Sequence, residues 1–433
     1  MEKRFVKYVS QNILGMIGTS AYILADTFFI SRAAGADGIA ALNLVLPIYS
    51  LIFAIGAMIG IGSATRFRVQ RARKEKEADY YFSNGVYFCL LISIPFILAG
   101  VFIPDKLLAF LGADGVIIRV GTPYTRIFLL FTPFFMLNYV FGAFVRNDDN
   151  PTLAMVATFS SSIFNIVMDY VFMFPMQMGM AGAALATAFS PVVGMLICSI
   201  HFFSKKNTVK FHIRSFSVVR FFKSCALGVS AFVGEMASGV TTLIFNIILL
   251  QIAGNVGVAA YGIVANIALV CIAIFNGVTQ GAQPLLSESY GKGDKKSLKL
   301  LLKLSVLTAF FFAILMNGIS NWIPEEIVSV FNSEGNKEMS AYAVDGLRLY
   351  FIGFLFAGIN IVGTGYLSAT EAAVGALVSS ISRGFVAIAF CAVVLATILG
   401  MTGVWLAFPV AEALTLLVML PFLKRGRNYS VPS

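Results

Sequence analysis

Charge is what this chain has least of. Only 12% of its 433 residues are Asp, Glu, Lys or Arg, against 58% hydrophobic, and the mean hydropathy is +0.87. A soluble domain carries about a quarter charged residues, so water-soluble enzymes and nucleic-acid-binding domains are excluded as classes. Histidine is nearly missing. His201 and His212 stand alone without HExxH-like spacing, so a metalloprotease would lack its ligands. The five cysteines (Cys89, Cys198, Cys225, Cys271, Cys391) lie in apolar runs without CxxC spacing and read as small buried hydrophobes rather than disulfides or metal ligands. No GxxxxGK[ST] occurs, which removes a nucleotide-driven pump. No cleavable leader is expected. The apolar run behind Lys3, Arg4 and Lys7 is too long and has no small-residue cleavage pattern, so it reads as a first spanning helix.

What is present is apolar chain in long pieces. A bilayer core of about 30 Å needs about 20 helical residues. Twelve such segments can be placed, near 9–31, 42–65, 80–103, 120–143, 152–174, 181–203, 225–252, 257–286, 299–322, 343–367, 373–398 and 402–423. Ten-residue alternations are absent, which argues against a membrane β-barrel. The fold class expected is an all-α polytopic membrane protein. Alternate connections are basic: six Lys and Arg fall in 66–76, six in 205–223, five in 292–303 and three in 424–427. By the positive-inside rule both termini are cytoplasmic, and the net charge of +10 reports topology rather than nucleic-acid binding.

The two halves repeat. Gly35-x-x-Gly38-Ile-Ala-Ala returns as Gly254-x-x-Gly257-Val-Ala-Ala, and Ile103-Pro104 with Gly115 returns as Ile323-Pro324 with Gly335. Arg126 and Asn138 return as Arg348 and Asn360; Gly179-Met180-x-Gly182 returns as Gly400-Met401-x-Gly403. Six helices per half give repeats of like orientation, a known construction for alternating-access transporters. The expected organisation is an N-lobe over 1–203, a basic cytoplasmic linker over 204–223 and a C-lobe over 224–433.

Polar residues inside these segments carry the chemistry. Thr158, Ser161, Ser162, Asn165 and Asp169 fall on one helical face of an otherwise apolar span. A carboxylate within hydrocarbon costs roughly 2.5–3.5 kcal/mol on insertion scales, so Asp169 is expected to face the bundle interior or an ion pathway. Thr19, Tyr22 and Asp26 form a similar face on the first helix, with Thr187 as a further partner. Two carboxylates in one low-dielectric site repel, and either a shared proton or a bound sodium ion relieves that repulsion. In the seventh segment Glu235 heads a face with Ser238, Thr242 and Asn246, which suits a secondary cation site or a counter-charge for substrate; a carboxylate at the helix end, in water, is the bland alternative. Glu412 and Arg383 are embedded too and read as structural. Forty-one Phe and sixteen Met would supply adaptable walls for lipophilic cations, although any membrane core uses the same residues. No Ser/His pair, GxGD or metal-ligand set supports an intramembrane enzyme.

Several of these stretches resemble the multidrug and toxic compound extrusion (MATE) family. They are Tyr22-Ile-Leu-Ala-Asp26-Thr-Phe-Phe-Ile, Arg146-Asn-Asp-Asp-Asn-Pro151, Asn165-x-x-x-Asp169-Tyr, Gly182-x-Ala-x-Ala-Thr187 and Gln280-Gly-x-Gln-Pro284 with Tyr290-Gly291. The resemblance implies two six-helix lobes around a V-shaped cavity and cation-coupled efflux of organic cations from a monomer in the cell membrane. It implies no cofactor beyond the coupling proton or sodium ion, and an N-lobe cluster of Asp26, Asn165, Asp169 and Thr187, with Asn138 a looser match. Three departures matter: Gln11 stands where the family often has proline, Asp149 where glycine is usual, and the tenth helix offers no acid to complete a sodium site with Glu235. Coupling through the N-lobe is therefore favoured. The rivals are a flippase for a lipid-linked substrate, which would want basic rather than acidic embedded groups, and a dedicated metabolite exporter.

Overall fold

A computed structural model describes residues 1–332 and 335–426; Arg427 of the last basic cluster lies outside them. Among the described residues every regular element is helical. The helices are α1 (Glu2–Ala72), α2 (Tyr80–Phe102), α3 (Pro104–Phe110), α4 (Gly115–Leu130), α5 (Thr132–Asn147), α6 (Pro151–Met173) and α7 (Gly179–Phe202). After the linker come α8 (Val218–Gly291), α9 (Lys295–Trp322), α10 (Pro324–Phe331), α11 (Lys337–Tyr350), α12 (Phe354–Ala369), α13 (Ala373–Ile381) and α14 (Ala387–Gly426).

The long helices are broken where a glycine takes dihedrals closed to other residues. Gly35 sits at φ 61°, ψ −152° in α1, and its repeat partner Gly254 at φ 61°, ψ −153° in α8. Gly400 breaks α14 at φ 59°, ψ −133°. With φ positive and ψ near the extended value, a Cβ would collide with its own backbone, so the region is essentially glycine-only. Proline plays a smaller part than its placement suggests. Pro47, Pro191, Pro284 and Pro409 lie inside continuous helix, and only Pro133 stands at a break, where α4 and α5 meet at 46°. There the missing N–H falls in the first turn of α5, where no partner was needed, and the Thr132 hydroxyl donates to the Leu129 carbonyl at 2.8 Å.

Nine helices are long and apolar enough to cross a membrane among the described residues, or ten with the bent α4–α5 pair as one span. Packing divides the chain into two compact units, Leu14–Glu235 on the one hand and Met1–Ile13 with Met236–Ser433 on the other. The first unit holds the start of α8 against α1 by backbone contact. A Cβ on Gly228 would lie 1.9 Å from the Met58 carbonyl oxygen, and one on Gly62 would lie 2.1 Å from that of Ser224. The second unit repeats the arrangement with the chain's first turns, since a Cβ on Gly281 would meet Val9 Cα at 2.7 Å and one on Gly277 would meet Ile13 Cα at 2.6 Å. Each unit has its own apolar core, one centred on Phe67, Phe128 and Phe144, the other on Phe275, Phe354 and Trp405.

Candidate cation-binding site

The site of the first unit is built on α6. Asn150 caps that helix by accepting from the Leu153 amide at 3.3 Å, and Pro151 follows in the first turn, which sets the helical register for everything behind it. Asp149 before it has φ 59°, the left-handed conformation that its sequence position requires, and pairs with Arg68 at 2.9 and 3.0 Å. Along α6, Ser161, Ser162, Asn165 and Asp169 are all buried, so the polar stripe faces protein. Helix α7 is registered against it by the Ser161–Ser190 hydroxyl pair at 2.8 Å and by Gly182, where an added Cβ would lie 3.0 Å from Phe172. This register brings Thr187 to Asn165, whose Nδ2 donates to Thr187 Oγ1 at 3.5 Å.

Asp169 is wholly buried (0% exposed) and its nearest charged neighbour is Asp26 of α1. The two carboxyl groups lie close enough for a hydrogen bond, yet two carboxylates have no proton to give, so the bond exists only when one of them carries a proton. Both Asp169 oxygens, Asp26 Oδ1 and Asn165 Oδ1 are buried without a donor. These are four acceptor atoms in one place, with no basic side chain among the groups that act on either acid. Buried acceptors left without donors are costly until a proton or a positive charge is supplied to them.

Three tyrosines that no sequence motif marks complete the surroundings. Tyr124 of α4 is buried beside Thr187 within electrostatic reach of both acids. The hydroxyl of Tyr49 meets that of Tyr22, while the Tyr49 ring stacks on Phe53 and Phe128 at 4.3 and 4.8 Å. Tyr22 senses Asp26, Asp169 and Glu235 alike. Tyr139 of α5 donates to Glu235 Oε1 at 3.5 Å, on a part of α8 where Glu235 itself is exposed. Tyr49, Tyr124 and Tyr139 escape a reading of the sequence because each is a single hydroxyl among apolar neighbours and fifteen tyrosines occur in the chain.

Asn138 sits elsewhere on the same bundle. Its Oδ1 lies over Gly194, with Ser161 beside it, one turn of α6 from Asn165, and no hydrogen bond joins it to either acid among the described residues. Its repeat partner in the second unit, Asn360, donates to Glu412 Oε2 at 2.7 Å and to the Glu412 carbonyl at 2.8 Å. Arg383, in the π-helical turn Ser382–Val386, donates to Glu412 Oε1 at 2.7 Å. The embedded arginine and glutamate are thus each other's counter-charge. Among the described residues no group of three or more His, Cys, Asp or Glu is arranged to hold a metal ion.

Comparison with known proteins agrees with this architecture. The MatE family model matches residues 12–171 and 230–393. Multidrug export protein MepA of Staphylococcus saprophyticus is 27% identical over 96% of this chain and 92% of its own length, and that of Staphylococcus haemolyticus 28% identical over the same shares. A solved outward-facing MATE transporter of the MOP superfamily superimposes with a TM-score of 0.92 at 21% identity, covering 98% of this chain and 95% of that one. A MOP superfamily transporter from Pyrococcus furiosus, described as having a binding pocket of reversed polarity, gives 0.90 at 21% identity over the same shares. With the model matched across both halves and relatives aligned nearly end to end, this chain belongs to the MATE family of transporters.

Proposed function

We propose that the protein is a proton-coupled antiporter that exports lipophilic organic cations across the cell membrane by alternating access. The observation that carries this reading is the Asp26–Asp169 pair, with three unpartnered carboxyl oxygens and a fourth unpartnered acceptor on Asn165. One positive charge satisfies the pair, whether it arrives as a proton or on another cation, and a second is not needed. A site that accepts one or the other in turn is the physical basis of exchange. Asn165, Thr187 and Tyr124 surround the acids without donating to them, and Tyr22 with Tyr139 extends the polar surroundings towards Glu235, the secondary site of the proposal. Asn138 is assigned to the support of α6 and α7 behind this cluster.

The ten spans become twelve when α8, 74 residues long, is divided at Gly254 and the stretch 373–424 at Gly400, each part exceeding the ~20 residues a bilayer requires. We read these as six in a lobe over 1–203 and six in a lobe over 224–433, joined by 204–223, in a monomer with both termini in the cytoplasm. The names of the staphylococcal relatives support multidrug export, and the acidic character of the embedded site favours cations over a pyrophosphate-bearing lipid.

The test is efflux of a fluorescent lipophilic cation from liposomes under an imposed pH gradient and, separately, a sodium gradient. Efflux driven by pH in the wild type and lost in Asp169→Asn is expected. Efflux that needs sodium and disappears in Glu235→Gln would move coupling to the secondary site, and no dye movement under either gradient would overturn the multidrug reading.

A further inference from the structure

The segment between α7 and α8 is pinned to α2 rather than hanging free. Ser83 Oγ accepts from the His212 amide at 2.7 Å, Asn84 Oδ1 from the Ser217 amide at 2.8 Å, and the Tyr87 hydroxyl donates to the Ile213 carbonyl at 2.8 Å. Arg71 donates to the Thr208 carbonyl at 3.0 Å. These contacts bring two basic stretches, 66–76 and 205–223, to one end of the first unit and enclose a cavity of about 310 Å³ between them.

Its lining is chemically unfinished. Of its three cations, Arg220 is committed, since it pairs with Glu77 and lies 4.8 Å over the Tyr80 ring. Lys76 and Lys223 make no ion pair among the described residues, and Glu75 is the one other acid in the lining. The Gln70 side-chain oxygen, also in the lining, is buried without a donor. Two free ammonium groups call for a phosphate, and an unpartnered carbonyl calls for a hydroxyl. Beside them the first turn of α8 leaves Val219 and Phe222 each 64% exposed, an apolar edge that continues out of a charged cavity.

Phosphate, hydroxyl and hydrocarbon in that order describe one class of molecule. We propose that the cavity binds the headgroup of an anionic glycerol-bearing phospholipid of the phosphatidylglycerol type. The phosphate lies between Lys76 and Lys223, a glycerol hydroxyl donates to Gln70, and the acyl chains run along Val219 and Phe222. Basic groups next to an anionic membrane surface attract it in this way. The proposal rests on the reading above only in placing the basic end at a membrane surface.

Native mass spectrometry of the full-length protein in neutral detergent tests it. The protein is titrated in parallel with short-chain phosphatidylglycerol, phosphatidic acid, phosphatidylcholine and inorganic phosphate. One retained phosphatidylglycerol per chain is expected, in preference to phosphatidylcholine. The double variant Lys76→Gln/Lys223→Gln is expected to bind it roughly thirty-fold more weakly, from two basic groups at roughly a five- to sixfold loss each. Gln70→Ala is expected to erase the preference for phosphatidylglycerol over phosphatidic acid. Unchanged affinity in the double variant, or equal binding of phosphatidylcholine, would overturn the proposal. Inorganic phosphate that displaces the lipid at equal concentration would reduce the cavity to a free-anion site and overturn it as well. Both lysines are exposed, so the variants fold, and no gradient is involved, so failure of the transport reading leaves this measurement unaffected.

Discussion

At the scale of single residues, Asp169 is the position where the largest effect is expected. Buried beside Asp26 with no donor on either oxygen, it contributes charge that the fold does not use. Asp169→Asn is expected to abolish pH-driven efflux while raising the melting temperature in neutral detergent, because it removes like-charge repulsion from a low-dielectric site. A fall in stability would mean that the carboxyl is a structural acceptor instead. Tyr124→Phe deletes a buried hydroxyl that makes no hydrogen bond among the described residues, so it is expected to leave thermal stability in detergent unchanged or to raise it by about 1–3 kcal/mol, and a fall would show that the hydroxyl has a partner in solution.

Asp148 makes a prediction outside the membrane. Burial alone would push its carboxyl up, but donation from His201 Nε2 and from the Thr208 amide and hydroxyl holds it below the usual carboxylate range. A depressed carboxyl stabilises the fold above its unfolded value of about 3.9 and loses that contribution as pH falls through the folded value. Exchange protection of the Thr208 amide, corrected for intrinsic rate, is therefore expected to stay flat from about pH 8 to pH 5 and to collapse only below about pH 4. Asp148→Asn should lower it throughout the flat range, at a cost of about 1–3 kcal/mol for a buried network left partly unsatisfied, and the difference from wild type should vanish below about pH 4.

At the scale of elements, glycine decides where helices bend and where they touch. Gly35 and Gly254 occupy the same glycine-only dihedrals in the two halves, so Ala at either should cost about 1–3 kcal/mol from backbone strain alone. At Gly228 the cost has another origin. Its Cα faces the Met58 carbonyl, and a Cβ 1.9 Å away cannot be accommodated without parting α8 from α1. Gly228→Ala is expected to destabilise by about 1–3 kcal/mol as an overpacked contact, and Gly234→Ala, in the same helix with open space around it, to be neutral or to stabilise by up to about 1 kcal/mol. Thermal unfolding of the two variants in detergent compares them directly.

At the scale of the whole molecule, the chain presents basic loops at one end of its first unit, buried acidic residues inside that unit and apolar helices long enough to cross a membrane, the charge distribution on which the proposed export of cations rests. The polar stripe on α6 was legible because polar residues recurring every 3.6 positions in an apolar run can only share one face of a helix. The many long apolar segments were legible for the same reason, since they are a property of spacing, and the repeated glycines Gly35 and Gly254 take the same dihedrals in the structure. The tyrosines around the acids were not, because a single hydroxyl in an apolar helix carries no periodicity and its partners come from other helices. Glu412 and Arg383 gave no hint of one another, being 29 residues apart on separate helices until α14 folds back at Gly400.

The sequence by itself determined the class of this protein, the repeated glycines, the basic pattern of its loops and the polar face on which Asp169 is buried, because composition and period follow from the bilayer and the helix alone. Tertiary structure decided which oxygens are left without donors, which residues of the linker are held against α2, and that the first thirteen residues pack with the second half. Those depend on close approach between segments far apart in the chain. Burial and donor count at a site are sums over several helices, and no one stretch of sequence contains them.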